Sequence, residues 1–323
     1  VTLGGVLAQF AGWPWIFLIN VPIGILVLGL VPFFLPKSQA GEARKQLDLG
    51  GAFTVTLATL LLGYAFGNAS QGWLSLTVSG SLGLALVLCG VFVWIEARSS
   101  APLVPLRLFR LRSLNGANLV SLFVGASHAP MFYFLSLYFQ QALGYGAFLA
   151  GVAILPIALI SIIAASTFLS RALARLGYRG VLTIGMVLLT IGLLLFARVP
   201  IPGNYLLDVL PASLLVAVGL PAVFAGSNIA AVKAVKPTEA SLASGLVNTT
   251  QRIGSGLGIM VLSSLAAART NLLPAHAGPI ALAGGFQVAF FGAAIAALMG
   301  TIIAQTMLRQ QKIPHSLLDS RLC

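Results

Sequence analysis

The chain contains 323 residues, of which 59% are hydrophobic and only 7% are charged, and its formal net charge is +12. Water-soluble domains carry about a quarter of charged residues, so this composition excludes a soluble fold. The positive charge does not indicate nucleic-acid binding either. The basic residues are divided among short segments between apolar stretches, an arrangement that suits the anionic surface of a membrane.

Apolar stretches long enough to cross a bilayer recur along the chain. A hydrocarbon core about 30 Å thick needs roughly 20 helical residues, because a helix rises about 1.5 Å per residue. Nine windows qualify, preceded by the end of a tenth at 1–10. The windows are 15–36, 50–69, 76–95, 115–140, 149–170, 181–199, 205–232, 241–267 and 285–307. Only a helix satisfies its own backbone hydrogen bonds in lipid, so we predict an all-α polytopic transmembrane helix bundle.

Fifteen of the 18 basic residues fall in alternate gaps between these windows or in the C-terminal tail. They are Lys37, Arg44, Lys45, Arg98, Arg107, Arg110, Arg112, Arg171, Arg175, Arg179, Lys233, Lys236, Arg309, Lys312 and Arg321. The other gaps hold only Arg198 and Arg269. Because loops rich in Lys and Arg stay on the cytoplasmic side, we predict a multi-pass plasma-membrane protein with a cytoplasmic C-terminus.

The sequence predicts no metal site, no cofactor and no enzymatic activity. Its three scattered histidines lack the spacing of metal ligands, and no phosphate-binding Gly-Lys-Ser/Thr loop is visible. An intramembrane enzyme such as a lipid transferase would require clustered acidic or histidine residues near one interface. The sequence shows no such cluster.

Six short segments, taken in their order along the chain, carry a family resemblance. They are 3–5 (LGG), 12–24 (GWPWIFLINVPIG), 47–51 (LDLGG), 92–98 (FVWIEAR), 138–145 (YFQQALGY) and 244–254 (SGLVNTTQRIG). Together they resemble the fourteen-span drug:proton antiporters of the major facilitator superfamily. The resemblance implies two six-helix bundles joined by two extra helices. It also implies proton-coupled export of drugs or other amphipathic small molecules by alternating access.

The resemblance also predicts how the chain is divided. Because Val1 already lies inside an apolar segment, we expect an N-terminally truncated transporter whose partner is the N-terminal bundle of the same protein. We predict a remnant of that bundle over 1–36, loops and two joining helices over 37–113, the C-terminal six-helix bundle over 114–308 and a cytoplasmic tail over 309–323. A non-transporting or regulatory remnant is the alternative function.

Arg252 is the most informative single residue. It lies roughly 16 Å from the cytoplasmic end of its window, at about 1.5 Å per residue, and a cation at that depth costs at least about 2.5 kcal/mol. Ser244, Asn248 and Arg252 share one helical face. We predict that these residues and Gln251 line a substrate cavity, with a structural role in bundle packing as the alternative for Arg252. Downstream, the Gly-x-x-x-Gly spacing at 254–258 predicts close helix packing.

Two residues are candidates for proton coupling. His128 can titrate near neutral pH, but it precedes Pro130, so a helix kink with a hydrogen-bonded imidazole is the alternative. Asp48 lies at the cytoplasmic boundary, where it can also remain hydrated without a coupling role. Further prolines inside the windows are kink candidates, namely Pro156, Pro211 and Pro221.

One window mixes aromatic and amide side chains. Tyr133, Phe134 and Gln140, with Asn118 earlier on the same window, suit a broad pocket for amphipathic compounds. An aromatic belt near the outer membrane interface is the alternative for Tyr138 on the same window.

The segment 170–180 resembles the cytoplasmic loop that facilitators repeat in their second half. Gly177 permits a tight turn, and Arg171, Arg175 and Arg179 can bind helix C-terminal carbonyls or lipid phosphates. A gating latch and a simple topology anchor fit this loop equally well.

Overall fold

Helices make up nearly all of the described chain. The computed structural model describes residues 4–7, 12–34, 48–68, 74–99, 106–200, 203–272 and 278–308. Its internal contacts divide the chain into two compact units, one formed by Val1–Val27 with Arg112–Cys323 and the other by Leu28–Leu111. The domain division made from the sequence stays a prediction, and the tail over 309–323 lies outside the described residues.

Within those ranges, nine helices of at least 15 residues follow one another. They are α1 (Asn20–Phe34), α2 (Leu49–Gly67), α3 (Leu76–Arg98), α4 (Arg112–Leu137), α5 (Ala147–Thr167), α6 (Leu169–Phe196), α7 (Leu210–Lys233), α8 (Ala240–Asn271) and α9 (Gly278–Met307). The seven helices α3 to α9 are long and apolar enough to cross a membrane, while α1 and α2 are shorter apolar helices. The predicted all-α membrane bundle is confirmed.

The first predicted span is divided by a turn, which the hydropathy pattern did not indicate. A short helix at Trp15–Leu18 precedes α1. Pro22 has no N–H to bond the last carbonyl of that short helix. In the same region, the side-chain amide of Asn20 donates to the carbonyl oxygens of Ile16 and Phe17, both at 3.2 Å. A side chain therefore satisfies backbone groups at this break in the helix.

The unit Leu28–Leu111 contains α2 and α3, which pack against each other. The start of α3 is capped by the hydroxyl of Ser75, which accepts from the Val78 N–H at 3.4 Å. At its end the Arg98 guanidinium lies 4.3 Å from the ring centroid of Trp94. A cation in the last turn interacts favourably with the helix dipole. Ser75 therefore stabilises the start of α3, and Arg98 stabilises its end.

The other unit contains the six helices α4 to α9. Helix α4 contacts α7, α8 and α9, and α6 packs against α7 and α9. The α6–α7 contact is close because small residues face each other. A Cβ added at Gly185 or Gly219 would lie 2.9 or 2.8 Å from a backbone oxygen of the opposite helix. Membrane helices associate through such small residues because lipid supplies no hydrophobic force between them.

The α4–α8 contact uses the glycines that the sequence singled out for packing. A Cβ at Gly258 would lie 2.6 Å from the Ala126 carbonyl oxygen, and a Cβ at Gly254 would collide with the carbonyl of Leu122. On the facing helix, Gly125 approaches the backbone of Gln251 equally closely. The predicted packing role of the Gly-x-x-x-Gly spacing is therefore confirmed, with α4 as its partner.

This interface predicts a contrast between neighbouring glycines of α8. Gly258→Ala should lower the free energy of unfolding by about 1–3 kcal/mol, the usual cost of overpacking, measured by SDS titration in mixed micelles. Gly256→Ala is the matched control because nothing lies within 4 Å of an added Cβ there. It should be neutral or stabilising by up to about 1 kcal/mol through helix propensity. Equal losses at both positions would contradict the role of the interface.

Candidate functional site

Helix α8 has two opposite faces. Its buried residues include Val247, Gly254 and Gly258, which are on the side that packs against the neighbouring helices. Asn248 and Arg252 are exposed on the other side. The Asn248 amide donates to the Ser244 carbonyl of its own helix at 2.9 Å. Three of the four predicted cavity residues of this helix, Ser244, Asn248 and Arg252, thus lie together on a polar face that points away from the bundle core.

Gln251, the fourth of these predicted residues, lies at the edge of that face. It is half-buried, and its carbonyl oxygen accepts a hydrogen bond from the Ser255 hydroxyl at 3.0 Å. The same carbonyl is the group that contacts Gly125 of α4. The backbone of Gln251 therefore contributes to packing.

Arg252 lies well inside the membrane-spanning part of α8. It follows Ala240 by twelve residues, which is roughly 18 Å at about 1.5 Å per residue. Its side chain is exposed at the bundle surface. Because a charged group at this depth is not tolerated facing lipid tails, this surface must border water or protein.

A cavity of about 380 Å³ opens between α4, α5 and α7 beside His128. Its wall is almost entirely apolar and includes Phe132, Ile154, Leu220 and Phe224. The His128 ring makes edge-to-face contacts with Phe132 and Phe224, with centroid distances of 5.1 and 5.2 Å. An apolar cavity with few polar groups is the usual form of a small-molecule site.

Each of the three helices around this cavity contains an interior proline. Pro130 lies in α4, Pro156 in α5 and Pro221 in α7. A proline has no N–H for the carbonyl four residues earlier, so each helix loses one backbone hydrogen bond here. Pro211, also predicted to kink a helix, lies at the second position of α7, directly after the five-residue π-helix Tyr205–Val209.

The carbonyl freed by Pro221 finds a partner on the neighbouring helix. That carbonyl belongs to Ala217, and the hydroxyl of Ser161 on α5 donates to it at 2.8 Å. Ser161 itself lines the cavity. The hydrogen bond therefore joins two cavity walls and satisfies a backbone group that lipid cannot satisfy.

Asn118 forms a separate polar contact between α4 and α8. It is only 8% exposed, and its Oδ1 accepts from the Thr250 hydroxyl at 3.4 Å. Within the described part of the chain, neither its Nδ2 nor the buried hydroxyl of Ser121 has a hydrogen-bond partner. This predicted cavity residue lies inside the helix interface and is not part of the wall at His128.

The predicted aromatic and amide residues near the end of α4 lie apart from the cavity. Phe134 is 3% exposed and packs on Tyr133, Phe286 and Phe290 with centroids 5.1 to 6.4 Å apart. The amide of Gln140 donates within its own helix end, to Ser136. The structure places Phe134 in a packed aromatic cluster, so a direct role in substrate binding stays a prediction.

Asp48 has a clear structural role at the start of α2. Its Oδ1 accepts from the Gly51 N–H at 2.7 Å. A carboxylate at this position satisfies an N–H group that has no partner inside the helix and complements the helix dipole. Proton coupling by Asp48 stays a prediction alongside this capping role.

Gly177 interrupts α6 with φ 68° and ψ 172°, the left-handed conformation that glycine tolerates. The tight turn predicted for the loop is therefore present. Beside it, Arg171 donates to the Thr167 carbonyl at the end of α5 at 3.0 Å. Arg175 is exposed.

Two arginines from different helices bind the C-terminal end of α9. Arg179 donates to the carbonyl oxygen of Gln305 and, at 3.1 Å, to its Oε1. Arg112, at the start of α4, donates to the Thr306 carbonyl at 3.2 Å. The last four carbonyls of a helix have no partner within it, so these two cations cap α9 and connect its end to the start of α4 and to the part of α6 that follows Gly177.

Comparison with known proteins decides the family of this bundle. A family model described as Major Facilitator Superfamily matches residues 1–259. The chain belongs to the major facilitator superfamily. The resemblance predicted from the sequence is confirmed at this level, and the helical bundle is the facilitator fold.

Curated relatives of this facilitator are named for export or resistance. It is 33% identical over 297 residues to the cephamycin export protein of Amycolatopsis lactamdurans, covering 91% of this chain and 60% of that protein. It is 34% identical over 267 residues to the lincomycin resistance protein of Streptomyces lincolnensis, covering 81% and 54%. With the tetracenomycin C resistance and export protein of Streptomyces glaucescens it shares 30% identity over 272 residues, covering 83% and 50%. The chain thus spans about half to three fifths of these relatives' length.

Sequence reasoning missed two features of this facilitator. Pro221 signals a free carbonyl at Ala217, but nothing local to either residue names Ser161 as its partner. Likewise, the arginines of segment 170–180 predicted bonds to helix C-terminal carbonyls, but they did not indicate that these carbonyls belong to α9. In both cases the donor and the acceptor are far apart in the sequence, at 56 residues for Ser161 and 126 for Arg179.

The Ser161 hydrogen bond predicts a dependence on Pro221. Ser161→Ala should lower the free energy of unfolding by about 1 kcal/mol, because it leaves a buried carbonyl unsatisfied. In the Pro221→Ala background the same change should cost less than about 0.3 kcal/mol, since the new N–H can bond the Ala217 carbonyl within its helix. The four proteins of the cycle are compared by SDS titration.

Ser166→Ala is the control on the same helix, because the Ser166 hydroxyl bonds the carbonyl of Ile163 within α5. It should leave stability unchanged. An equal loss from Ser161→Ala in both backgrounds would show that the hydroxyl does not serve the proline-freed carbonyl.

The α9 cap predicts different effects for two arginines of one loop. Arg179→Ala should lower the free energy of unfolding by about 1 kcal/mol, through loss of a charged partner at a helix C-terminus. Arg175→Ala removes the same charge from the same loop and should have no effect on unfolding. If both variants lost equal stability, the contribution would come from loop charge and not from the contact with α9.

Proposed function

We propose that this chain is the C-terminal part of a secondary active transporter that exports drugs or other amphipathic small molecules in exchange for protons. In this proposal the protein is a transporter that works by alternating access and not an enzyme. Its partners are a small-molecule substrate, protons, the lipid bilayer and the N-terminal bundle of the same protein. The observation that carries the proposal is the exposed Arg252 at the membrane-embedded level of α8.

An exposed arginine at this depth is informative because of what lipid excludes. Intramembrane cations face a water-filled space or another part of the protein, and they mark substrate or ion pathways. Alternating-access transporters bind their substrate near the bilayer midplane, between two helical repeats that rock against each other. The polar face with Ser244, Asn248 and Arg252 therefore suits the wall of such a central pathway.

The cavity at His128 supplies the complementary apolar surface. Amphipathic compounds need both an apolar wall and a small number of polar groups. Here aromatic edges of Phe132 and Phe224 flank an imidazole. The names of the relatives, which refer to cephamycin export and to lincomycin resistance, support the same substrate class.

The proposal includes an orientation and a domain division. Arg112, Arg179 and Lys233 lie at the helix ends that the charge pattern assigned to one side, and the first two meet at the end of α9. This agreement supports a plasma-membrane protein whose C-terminus is cytoplasmic. We assign 1–36 to the N-terminal bundle, 37–113 to the joining segment and 114–308 to the C-terminal bundle.

Proton coupling is assigned to the two groups that the sequence singled out. His128 lies in the cavity wall, so a proton on its imidazole would affect the site directly. Asp48 is engaged as a helix cap, which makes it the less suitable of the two.

Transport by the full-length protein tests the proposal. Everted vesicles should accumulate substrate when a proton gradient is imposed and lose that accumulation with an uncoupler. Arg252→Ala should lower the initial rate at least about tenfold, a change of 1.4 kcal/mol or more in transition-state free energy, because the polar face loses its charge. Arg269→Ala, at the exposed end of the same helix, should transport like the wild type. Uptake that survives the uncoupler, or equal rates for Arg252→Ala and wild type at matched expression, would refute the proposal.

A further inference from the structure

We propose that the bundle binds an anionic phospholipid at the break in α6, with the lipid phosphate in a polar cavity beside Arg179 and an acyl chain in an adjoining apolar groove. The inference goes beyond the proposed function, because it concerns the surface around Gly177 and not the cavity at His128. It rests on two neighbouring concave surfaces that share Leu176.

The polar cavity lies directly at the break in α6. Its volume is about 120 Å³, whereas a single buried water needs only about 10–15 Å³. The wall of the cavity includes the side chains of Arg179, Thr183 and Gln305. Thr183 and Gln305 are joined by a hydrogen bond of 3.1 Å from the Gln305 amide to the Thr183 hydroxyl oxygen. The cavity therefore has room for a group larger than water beside a polar, positively charged wall.

Arg179 supplies the positive charge in this wall. Both of its hydrogen bonds to Gln305 start from Nη2, and a guanidinium has five N–H donors. Among the residues that the structure describes, its Nε and Nη1 groups have no hydrogen-bond partner. These groups can donate to phosphate oxygens, and such charge-assisted hydrogen bonds are stronger than neutral ones. Arg179 can thus bind an anion while it still caps α9.

Further positive charges lie next to the polar cavity. At the end of α7, the Lys233 ammonium nitrogen lies 5.6 Å from the ring centroid of Tyr178, which lines the cavity. The exposed Arg175 directly precedes Leu176. Within α6, α7 and their connection the only acidic residue is Asp208, which precedes the opposite end of α7. The local electrostatic field therefore favours an anion.

The apolar groove adjoins the polar cavity at Leu176. It has a volume of about 100 Å³ and is lined by residues of α5, α6 and α7. Three of its lining side chains, Leu176, Ile184 and Val218, are 53%, 46% and 43% exposed. Because exposed apolar side chains on membrane-spanning helices face lipid, the groove is open to acyl chains.

The residues between α5 and Gly177 place both surfaces at the membrane interface. Segment 169–176 is helical, and its residues Leu169, Ala172 and Leu176 line the groove. Arg171 and Arg175 of the same segment are exposed. A helix with apolar residues on one side and arginines on the other lies at the boundary between lipid headgroups and acyl chains. Inorganic phosphate would occupy the polar cavity alone, whereas a phospholipid occupies both surfaces.

Lipid binding to the purified full chain tests the inference. Native mass spectrometry in a nonionic detergent measures the affinity for the first bound phosphatidylglycerol and for phosphatidylcholine with the same acyl chains. Each cation contributes about fivefold to the binding of an anionic lipid, so two cations should favour phosphatidylglycerol by at least about tenfold. By the same measure, Arg179→Gln should weaken its binding about fivefold.

Two further variants control for charge. Arg179→Lys keeps the cation beside the polar cavity and should bind phosphatidylglycerol nearly as well as the wild type. Arg198→Gln removes one positive charge just beyond the opposite end of α6, where Arg198 is exposed. It should leave the affinity unchanged.

A pair of tryptophan variants tests the groove. Ala172 lines it, so Ala172→Trp fills the groove and should weaken phosphatidylglycerol binding at least as much as Arg179→Gln does. Ala174→Trp is the matched control. Ala174 is exposed and lies about 200° around the helix from Ala172, so this variant should bind the lipid like the wild type.

Inorganic phosphate distinguishes a lipid site from a site for free anions. Added at the same concentration as the lipid, it should not displace phosphatidylglycerol, because it makes no contact with the groove. Displacement by phosphate would overturn the assignment of a phospholipid as the occupant. Equal affinities for the two lipids, unchanged binding in Arg179→Gln, or equal effects of Ala172→Trp and Ala174→Trp would each overturn the inference as well.

Discussion

The backbone polar groups that enter the hydrocarbon core must find their partners within the protein, and this constraint shapes the bundle. Regular helices satisfy most backbone groups by themselves. The exceptions are the carbonyl groups at helix interruptions and helix ends, where a side chain has to supply the hydrogen bond. At the Asn20 amide and the Ser161 hydroxyl, a side chain bonds a carbonyl where the helical pattern is interrupted. At the end of α9, Arg112 and Arg179 bond carbonyls that no longer have a helical partner.

The same constraint connects the packing of α8 to the position of Arg252. Successive residues of a helix differ by about 100° around its axis, so Gly254 and Arg252, two positions apart, lie on opposite sides. Because Gly254 and Gly258 bring the backbone of α8 against α4, Arg252 has to project from the other side. The packing glycines of α8 thus determine the side of the helix from which Arg252 projects.

Local patterns in the sequence predicted the features that depend on short-range physics. Helix windows follow from hydropathy, the turn at Gly177 from the conformational freedom of glycine, and the interior prolines from the residues themselves. The division of the first window is also local, but hydropathy does not detect it because Asn20 and Pro22 interrupt an otherwise apolar run. The Phe134 cluster shows a further limit, since an aromatic residue on α4 has the same pattern whether it packs on Phe286 or lines a pocket. Tertiary contacts, and not the local sequence, decide which helix lies beside Phe134.

The cavity at His128 follows from the distribution of prolines among the helices. α4, α5 and α7 line it and each has an interior proline, whereas the sequences of α6 and α8 contain no proline. Each proline prevents one backbone bond and leaves a carbonyl that needs another neighbour. Ala217 obtains Ser161, and the Ala126 carbonyl freed by Pro130 faces Gly258. The helices that form the cavity are thus those with the weakest internal bonding at this level, whereas α8, which carries Arg252, has no proline. Such a division suits a cavity whose shape adapts to different ligands.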